Sequence, residues 1–174
     1  SFYAENISHL NSVVHYGIEL AQQNKGAELL DLLEKERLNF YANPNNTIDN
    51  ELALHQLFIE LYAKFYKGQD DVWQKVIPLV EFTKLHILSI QTFQGHIHPY
   101  YPQVLYSLTE AYLSVNDFEK AITTAKELGD CYQDLDDTPN YIEVIKLLHD
   151  LYGEAGMQAQ QDSCSRILEA SPTY

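Results

Sequence analysis

Three histidines near the middle of the chain have types and spacing that could do chemistry. His86, His96 and His98 lie close together, and the tripeptide HIH places two imidazole rings on one side of an extended segment, a geometry that metal ions can use. No second cluster of histidines or carboxylates at ligand spacing accompanies them, and His98 directly precedes a proline that can begin a helix. The sequence therefore favours a role at a helix junction over metal binding.

Paired carboxylates are the second candidate, since a glycosidase needs two of them facing across a cleft. The pairs Asp70–Asp71 and Asp136–Asp137 both fall where helices are predicted to begin, and negative charge there interacts favourably with the helix dipole. The spacing supports no glycine-rich phosphate loop, no nucleophile elbow and no Cys-His arrangement. We therefore predict a protein that is not an enzyme and that binds no cofactor.

The charge of the chain restricts its partners. Eleven Lys and Arg stand against 25 Asp and Glu, which gives a formal net charge of −14. Such a field repels phosphate backbones and anionic lipid headgroups. The longest mostly apolar stretch, 72–93, is interrupted by charged residues and cannot cross a bilayer cheaply. We expect neither nucleic acid nor a membrane as a direct partner.

Length, cysteines and the first residue bear on organisation and location. The 174 residues, of which 45% are hydrophobic, fit a single domain over 1–174, and the missing initiator Met leaves open that it is a fragment of a larger protein. Cys131 and Cys164 are too few for a disulfide scaffold and lack metal-type spacing, which favours buried thiols in the cytoplasm. Sequons at Asn6 and Asn45 argue only weakly for secretion.

Apolar residues recur three and four positions apart along most of the chain, and glycine and proline number only seven and six. This pattern predicts an all-α protein with short connections and antiparallel neighbours. The predicted helices cover 2–24, 26–41, 49–67, 70–93, 99–114, 117–133, 139–155 and 157–170. Pro78 predicts a kink within 70–93, and a break into two shorter helices is the alternative.

A repeat becomes visible when residues 98–120 are shifted forward by 40 positions onto 138–160. The matching pairs are Pro99 with Pro139, Tyr101 with Tyr141, Val104 with Val144, Leu105 with Ile145, Leu108 with Leu148, Tyr112 with Tyr152 and Asn116 with Gly156. The apolar pairs form one stripe along a first helix, and Asn116 and Gly156 can adopt the left-handed conformation that turns the chain. Ala121 and Ala125, four apart, let a second helix approach closely.

This unit resembles the tetratricopeptide repeat (TPR), whose pattern runs from apolar residues through a small residue and Tyr to a turn, an aromatic residue and Ala. The matching positions are Leu105, Leu108, Thr109, Tyr112, Asn116, Phe118, Ala121 and Ala125. The His-Pro start and the period of 40 look more like the longer repeats of kinesin light chains. The resemblance implies a right-handed α-α superhelix of about four antiparallel hairpins, at about 2–41, 49–93, 98–133 and 138–170.

A superhelix of this family would have a concave wall built from the first helix of each hairpin. The resemblance places on that wall Gln103, Tyr106, Ser107, Glu110, Leu113 and Ser114 in the third hairpin, Glu143, Lys146, Asp150 and Glu154 in the fourth, and Gln56, Ile59 and Glu60 in the second. TPR domains that hold acidic chaperone tails use a Lys and Asn clamp at such positions, and only Lys146 fits that pattern here. The predicted peptide-binding wall is acidic and aromatic and suits a basic or amide-rich partner; a merely solvated acidic face is the alternative.

The sequence therefore predicts a non-catalytic scaffold that binds a protein or peptide along a concave face. A second hypothesis is a peptide- or ligand-sensing regulatory domain of a larger bacterial signalling or transcription regulator, since such regulators have a similar architecture. A small metal protein centred on His86, His96 and His98 is the third.

Overall fold

The described parts of the chain are helical. The computed structural model describes residues 2–42 and 70–171, and these ranges contain seven helices. They are α1 (Phe2–Gln22), α2 (Gly26–Ala42), α3 (Asp70–Gln94), α4 (Tyr101–Ser114), α5 (Phe118–Asp134), α6 (Thr138–Glu154) and α7 (Gln158–Ala170). The all-α prediction is confirmed, and the predicted helix at 49–67 lies outside the described residues.

The chain divides into two compact units, 1–72 and 73–174, and each is considered by itself. In the first unit, α1 and α2 pack against each other, with Val13 and Leu20 of α1 and Leu29 and Leu33 of α2 buried. Asn24 takes the left-handed conformation at φ 57° between the two helices.

In the second unit, α4 packs on α5, α5 on α6, and α6 on α7. The turns between these four helices share one geometry, in which a residue with positive φ follows the helix: Asn116 at 59°, Asp136 at 55° and Gly156 at 72°. The next amide then donates back to a tyrosine carbonyl: Asp117 to Tyr112 at 2.9 Å, Asp137 to Tyr132 at 2.8 Å and Met157 to Tyr152 at 2.8 Å. These are Schellman C-caps, and they reverse the chain at regular 20-residue intervals.

The predicted role of Asn116 and Gly156 as turn residues is thus confirmed. Sequence reasoning missed that the turn between the hairpins, at Asp136, is like the turns within them. The repeat was found by comparing residues 40 positions apart, and Asp136 is only 20 positions from Asn116 and from Gly156.

Small residues allow close contact between helices in this unit. Ala121 and Ala125 of α5 are both 0% exposed, as the spacing predicted. Further along α5, a Cβ placed on Gly129 would lie 3.4 Å from Cγ1 of Val144 on α6. The buried surfaces of α4 and α6 are aliphatic and aromatic and include Leu105, Leu108, Tyr112, Ile145, Leu148 and Tyr152.

Prolines lie inside α3 and near the starts of α4 and α6. Pro78 lies inside α3, which continues unbroken from Asp70 to Gln94, so the alternative of two shorter helices is wrong. Pro139 lies in the first turn of α6 as predicted. Pro99, by contrast, precedes α4, and Pro102 occupies the first turn instead. The two starts differ because α6 is capped by the carboxylate of Asp137, whereas Tyr100, the N-cap residue of α4, makes no side-chain cap hydrogen bond.

Among the helices that the structure describes, none has the length and apolar character needed to cross a membrane.

Candidate functional site

A cavity of about 320 Å³ opens between α4, α5 and α6. Its lining residues are Tyr106 from α4, Leu128 and Tyr132 from α5, and Asn140, Glu143, Val144 and Leu147 from α6. The apolar part is therefore aliphatic and aromatic, and the polar groups are two phenol hydroxyls, one amide and one carboxylate. A surface of this kind suits a long side chain with a polar or cationic end.

Tyr106 is the most exposed aromatic side chain of this cavity, at 49% exposure. Its hydroxyl donates a hydrogen bond to the carboxylate of Glu110, one turn later on α4, and this bond together with the carboxylate charge raises the pKa of Tyr106. The pKa of Tyr132 is also raised, mainly by burial and then by the charge of Asp137. Both tyrosines stay neutral at physiological pH.

On α6 the carboxylate of Glu143 accepts from Nζ of Lys146 at 2.8 Å. The two side chains are 68% and 55% exposed, so water screens this ion pair and it stabilises the fold little. Asp150, one turn further, lies 3.3 Å from Nδ1 of His149 and is 79% exposed. The Glu143 and Asp150 carboxylates are thus accessible to a partner.

The structure brings together only part of the predicted wall. Tyr106 and Glu143 line the cavity, Glu110 is bonded to Tyr106, and Lys146 is paired with Glu143. The other predicted residues do not line it: Gln103 and Asp150 are exposed elsewhere on the helices, Leu113 is partly exposed, and Ser107 is buried.

The burial of Ser107, at 6% exposure, corrects its expected place on the wall. It follows from α4 being covered on more than one side, so that Leu105, Ser107, Leu108 and Thr109 are all buried. The predicted wall residues Gln56, Ile59 and Glu60 lie outside the described residues.

Tyr132, Asn140 and Leu147 were missed by sequence reasoning. Tyr132 belongs to the second helix of its hairpin, whereas the resemblance to TPRs places residues of the first helix on the wall. One signal could have found it, because Tyr132 lies midway between Tyr112 and Tyr152, 20 residues from each.

His98 and Asp137 have structural roles, and the side chains of Asp70 and Asp71 lie outside the part of the structure that is described. Nδ1 of His98 accepts from the amide of Tyr100 at 3.2 Å, and the amide of His98 donates to the side chain of Gln91 at 3.0 Å, which fixes the α3–α4 junction. The carboxylate of Asp137 caps α6 by accepting from the amide of Asn140 at 3.3 Å. Within residues 2–42 and 70–171, no group of three His, Cys, Asp or Glu is placed to hold a metal ion.

A second cavity, of about 230 Å³, lies between α5, α6 and α7 and contains Tyr141, Tyr152 and Cys164. Cys164 and Cys131 are free and buried. Burial raises the pKa of both thiols, that of Cys131 to about 11, and the nearby Asp134 and Glu127 contribute at Cys131. Neither is therefore an activated nucleophile.

Stacked helices joined by repeated turns, with small residues where helices meet, define a TPR-like helical-repeat fold. The crystal structure of nearly identical TPR-like repeats, from a protein described as a kinesin light chain of Podosopora anserina, is similar to this chain with a TM-score of 0.50. The sequences are 15% identical, and the match covers 94% of each chain. No protein-family model matches this sequence, and no curated protein matches it.

This likeness shows the fold alone, and the kinesin-light-chain variety of repeat stays a prediction. Folds of this class generally serve as scaffolds for interactions between proteins.

Proposed function

We propose that this protein is a non-catalytic scaffold that binds a basic or amide-rich protein segment along the exposed surface of α4 and α6. The observation that supports this most directly is the cavity in which Tyr106 and Tyr132 lie beside Glu143, with Glu110 bonded to Tyr106. Aromatic rings supply contact area, and carboxylates select positive or amide groups.

The charge distribution supports the same partner. Glu110, Glu143 and Asp150 are exposed on α4 and α6, whereas Lys146 is the one exposed lysine on these two helices, within the residues described. The net charge of −14 adds a long-range attraction for basic segments and repels acidic ones. The free, buried thiols fit a reducing compartment, and we place the protein in the cytoplasm.

Binding of peptide sets by isothermal titration calorimetry tests the proposal. The sets share length and differ in being rich in Arg and Lys, in Asn and Gln, or in Asp and Glu. We expect the basic set to bind tightest, the amide-rich set more weakly and the acidic set not at all. Because binding is electrostatic, raising the salt concentration weakens it.

Charge-reversing variants locate the surface. Glu110→Lys and Asp150→Lys each weaken binding of the basic set by about fivefold or more, which corresponds to roughly 1 kcal/mol. Glu169→Lys on α7 is the matched control, since it makes the same charge change at an exposed position outside both cavities, and its binding stays close to that of the unmodified protein. Equal binding by all three variants would count against this surface.

A further inference from the structure

The cavity between α4, α5 and α6 has the components of a site for one cationic side chain. Two tyrosine rings from different helices and the carboxylate of Glu143 from a third line the same space. The amide of Asn140 adds a hydrogen-bonding group, and Leu128, Val144 and Leu147 form its apolar part. A cation gains from contact with aromatic faces and from pairing with carboxylates, and both are available here.

The size of the cavity points to a single side chain as the occupant. About 320 Å³ is at the low end of the range for ligand pockets, roughly 300–1,000 Å³. It is enough for one long side chain entering from an extended segment and too little for a folded element.

The chemistry favours arginine over lysine. The guanidinium group is planar and less strongly hydrated than an ammonium group, so it stacks on tyrosine rings while its edge pairs with a carboxylate. Lys146 already satisfies Glu143 at 2.8 Å, but both side chains are more than half exposed, so an incoming guanidinium can replace that partner.

We infer that this cavity receives one arginine side chain of the bound partner, in contact with Tyr106 and Tyr132 and paired with Glu143. The inference rests on the proposed function, because it names the residue that the acidic surface recognises. Tyr106 and Tyr132 supply the preference for arginine, and Glu143 and Glu110 supply the preference for positive charge.

The test uses three short peptides that differ at one position, Gly-Ser-X-Ser-Gly with blocked ends and X as arginine, lysine or citrulline. Citrulline keeps the shape of arginine but has no charge. In two-dimensional NMR of the labelled protein, the arginine peptide shifts the amide signals of Tyr106, Tyr132 and Glu143. We expect it to bind about threefold or more tightly than the lysine peptide, with no shift from the citrulline peptide.

Tyrosine variants separate ring contact from charge. Tyr106→Leu and Tyr132→Leu lose the arginine preference, so that arginine and lysine peptides bind alike. Tyr100→Leu is the matched control: its side chain is 43% exposed, close to the 49% of Tyr106, but it does not line the cavity. It keeps the preference, and circular dichroism verifies that each variant is folded.

The outcomes distinguish this inference from the proposed function. Equal binding of arginine and lysine peptides to the unmodified protein, or a preference that survives both tyrosine variants, overturns the arginine site. If Glu110→Lys and Asp150→Lys still weaken the basic set, the acidic surface stands without it. Failure of every basic peptide to bind contradicts both.

Discussion

The hydroxyl of Tyr112 on α4 donates a 2.6 Å hydrogen bond to Oε1 of Glu81 on α3. A second bond of this kind joins Tyr101 to Glu127, whose other oxygen lies 2.7 Å from Nζ of Lys84. The helices α3, α4 and α5 are therefore connected by two tyrosine–carboxylate bonds. Forty residues later, Tyr141 and Tyr152 correspond to Tyr101 and Tyr112, but neither makes such a bond within the described residues. The position that corresponds to Glu127 is Ile167, which has no carboxylate.

Replacing Tyr112 by Phe removes only the hydroxyl and leaves the carboxylate of Glu81 without this donor. We expect Tyr112→Phe to lower the free energy of unfolding by about 1–2 kcal/mol, because hydrogen bonds to charged groups are among the stronger ones. Tyr152→Phe is the matched control and changes it by less than about 0.5 kcal/mol. Urea unfolding followed by circular dichroism measures both, and equal losses would show that the Glu81 bond does not connect the helices.

Two glycine-to-alanine substitutions should have opposite signs. Gly129 lies inside α5, and an added Cβ fits at 3.4 Å from Val144, so Gly129→Ala stabilises by about 0.5–1 kcal/mol through helix propensity. Gly156 has φ 72°, so Gly156→Ala destabilises by about 1–2 kcal/mol, although no atom lies within 4 Å of the new Cβ. Thermal unfolding measures both, and a stabilising Gly156→Ala would contradict the Schellman turn.

Stability should fall at alkaline pH. Burial raises the pKa of Cys131 from 9.0 to about 11, and burial with a bond to a carboxylate raises the pKa of Tyr101 and Tyr112 above their usual range. The unfolded chain loses these protons first, so the contribution of these three groups to the free energy of unfolding is constant up to about pH 9 and declines above it.

Cys131 contributes to this decline between about pH 9 and 11, by at most about 1.4 kcal/mol per pH unit. In Cys131→Ala we expect the free energy of unfolding to fall less steeply with pH in that window, while the contribution of Tyr101 and Tyr112 remains. Urea unfolding from pH 7 to 11 measures it, and an unchanged slope in Cys131→Ala would exclude the thiol as a cause.

Removing Lys146 should strengthen binding of basic peptides. Lys146 pairs with Glu143 at 2.8 Å and competes with an incoming cation, so Lys146→Ala increases affinity by about two- to fivefold. Lys126→Ala on α5 is the matched control for the loss of one positive charge, since Lys126 is exposed and does not line the same cavity. Weaker binding by Lys146→Ala would show instead that Lys146 contacts an acidic group of the partner.

Local features of the sequence were sufficient to predict the positions of most of the described helices. The described helices begin and end close to their predicted positions, with the end of α1 at Gln22 and the start of α4 at Tyr101 differing most. Periodicity and the left-handed preference of Asn116 and Gly156 act over a few residues, so a sequence records them directly. The start of α4 was misplaced because His98-Pro99 looked like Thr138-Pro139, although only Asp137 provides a carboxylate cap.

The candidate site was predicted less completely. The resemblance to TPRs predicted four residues that lie at or next to the cavity: Tyr106, Glu110, Glu143 and Lys146. It also predicted Ser107, which is buried, and it missed Tyr132. A resemblance to a family predicts which helix carries a site residue and approximately which face of that helix it occupies. It does not give the rotation of one helix against the next, on which the exposure of Ser107 depends.

The sequence by itself determined an all-α chain with a 40-residue unit, its turns, its small residues at helix contacts and its strong negative charge, because each is a property of neighbouring residues or of composition. Only the tertiary structure decided that Tyr112 meets Glu81, that Tyr101 meets Glu127, and that Tyr106 and Tyr132 share a cavity with Glu143. The two hydrogen-bonded pairs are 31 and 26 residues apart, and Tyr106 is 26 residues from Tyr132 and 37 from Glu143, so these side chains come together only after whole helices have packed.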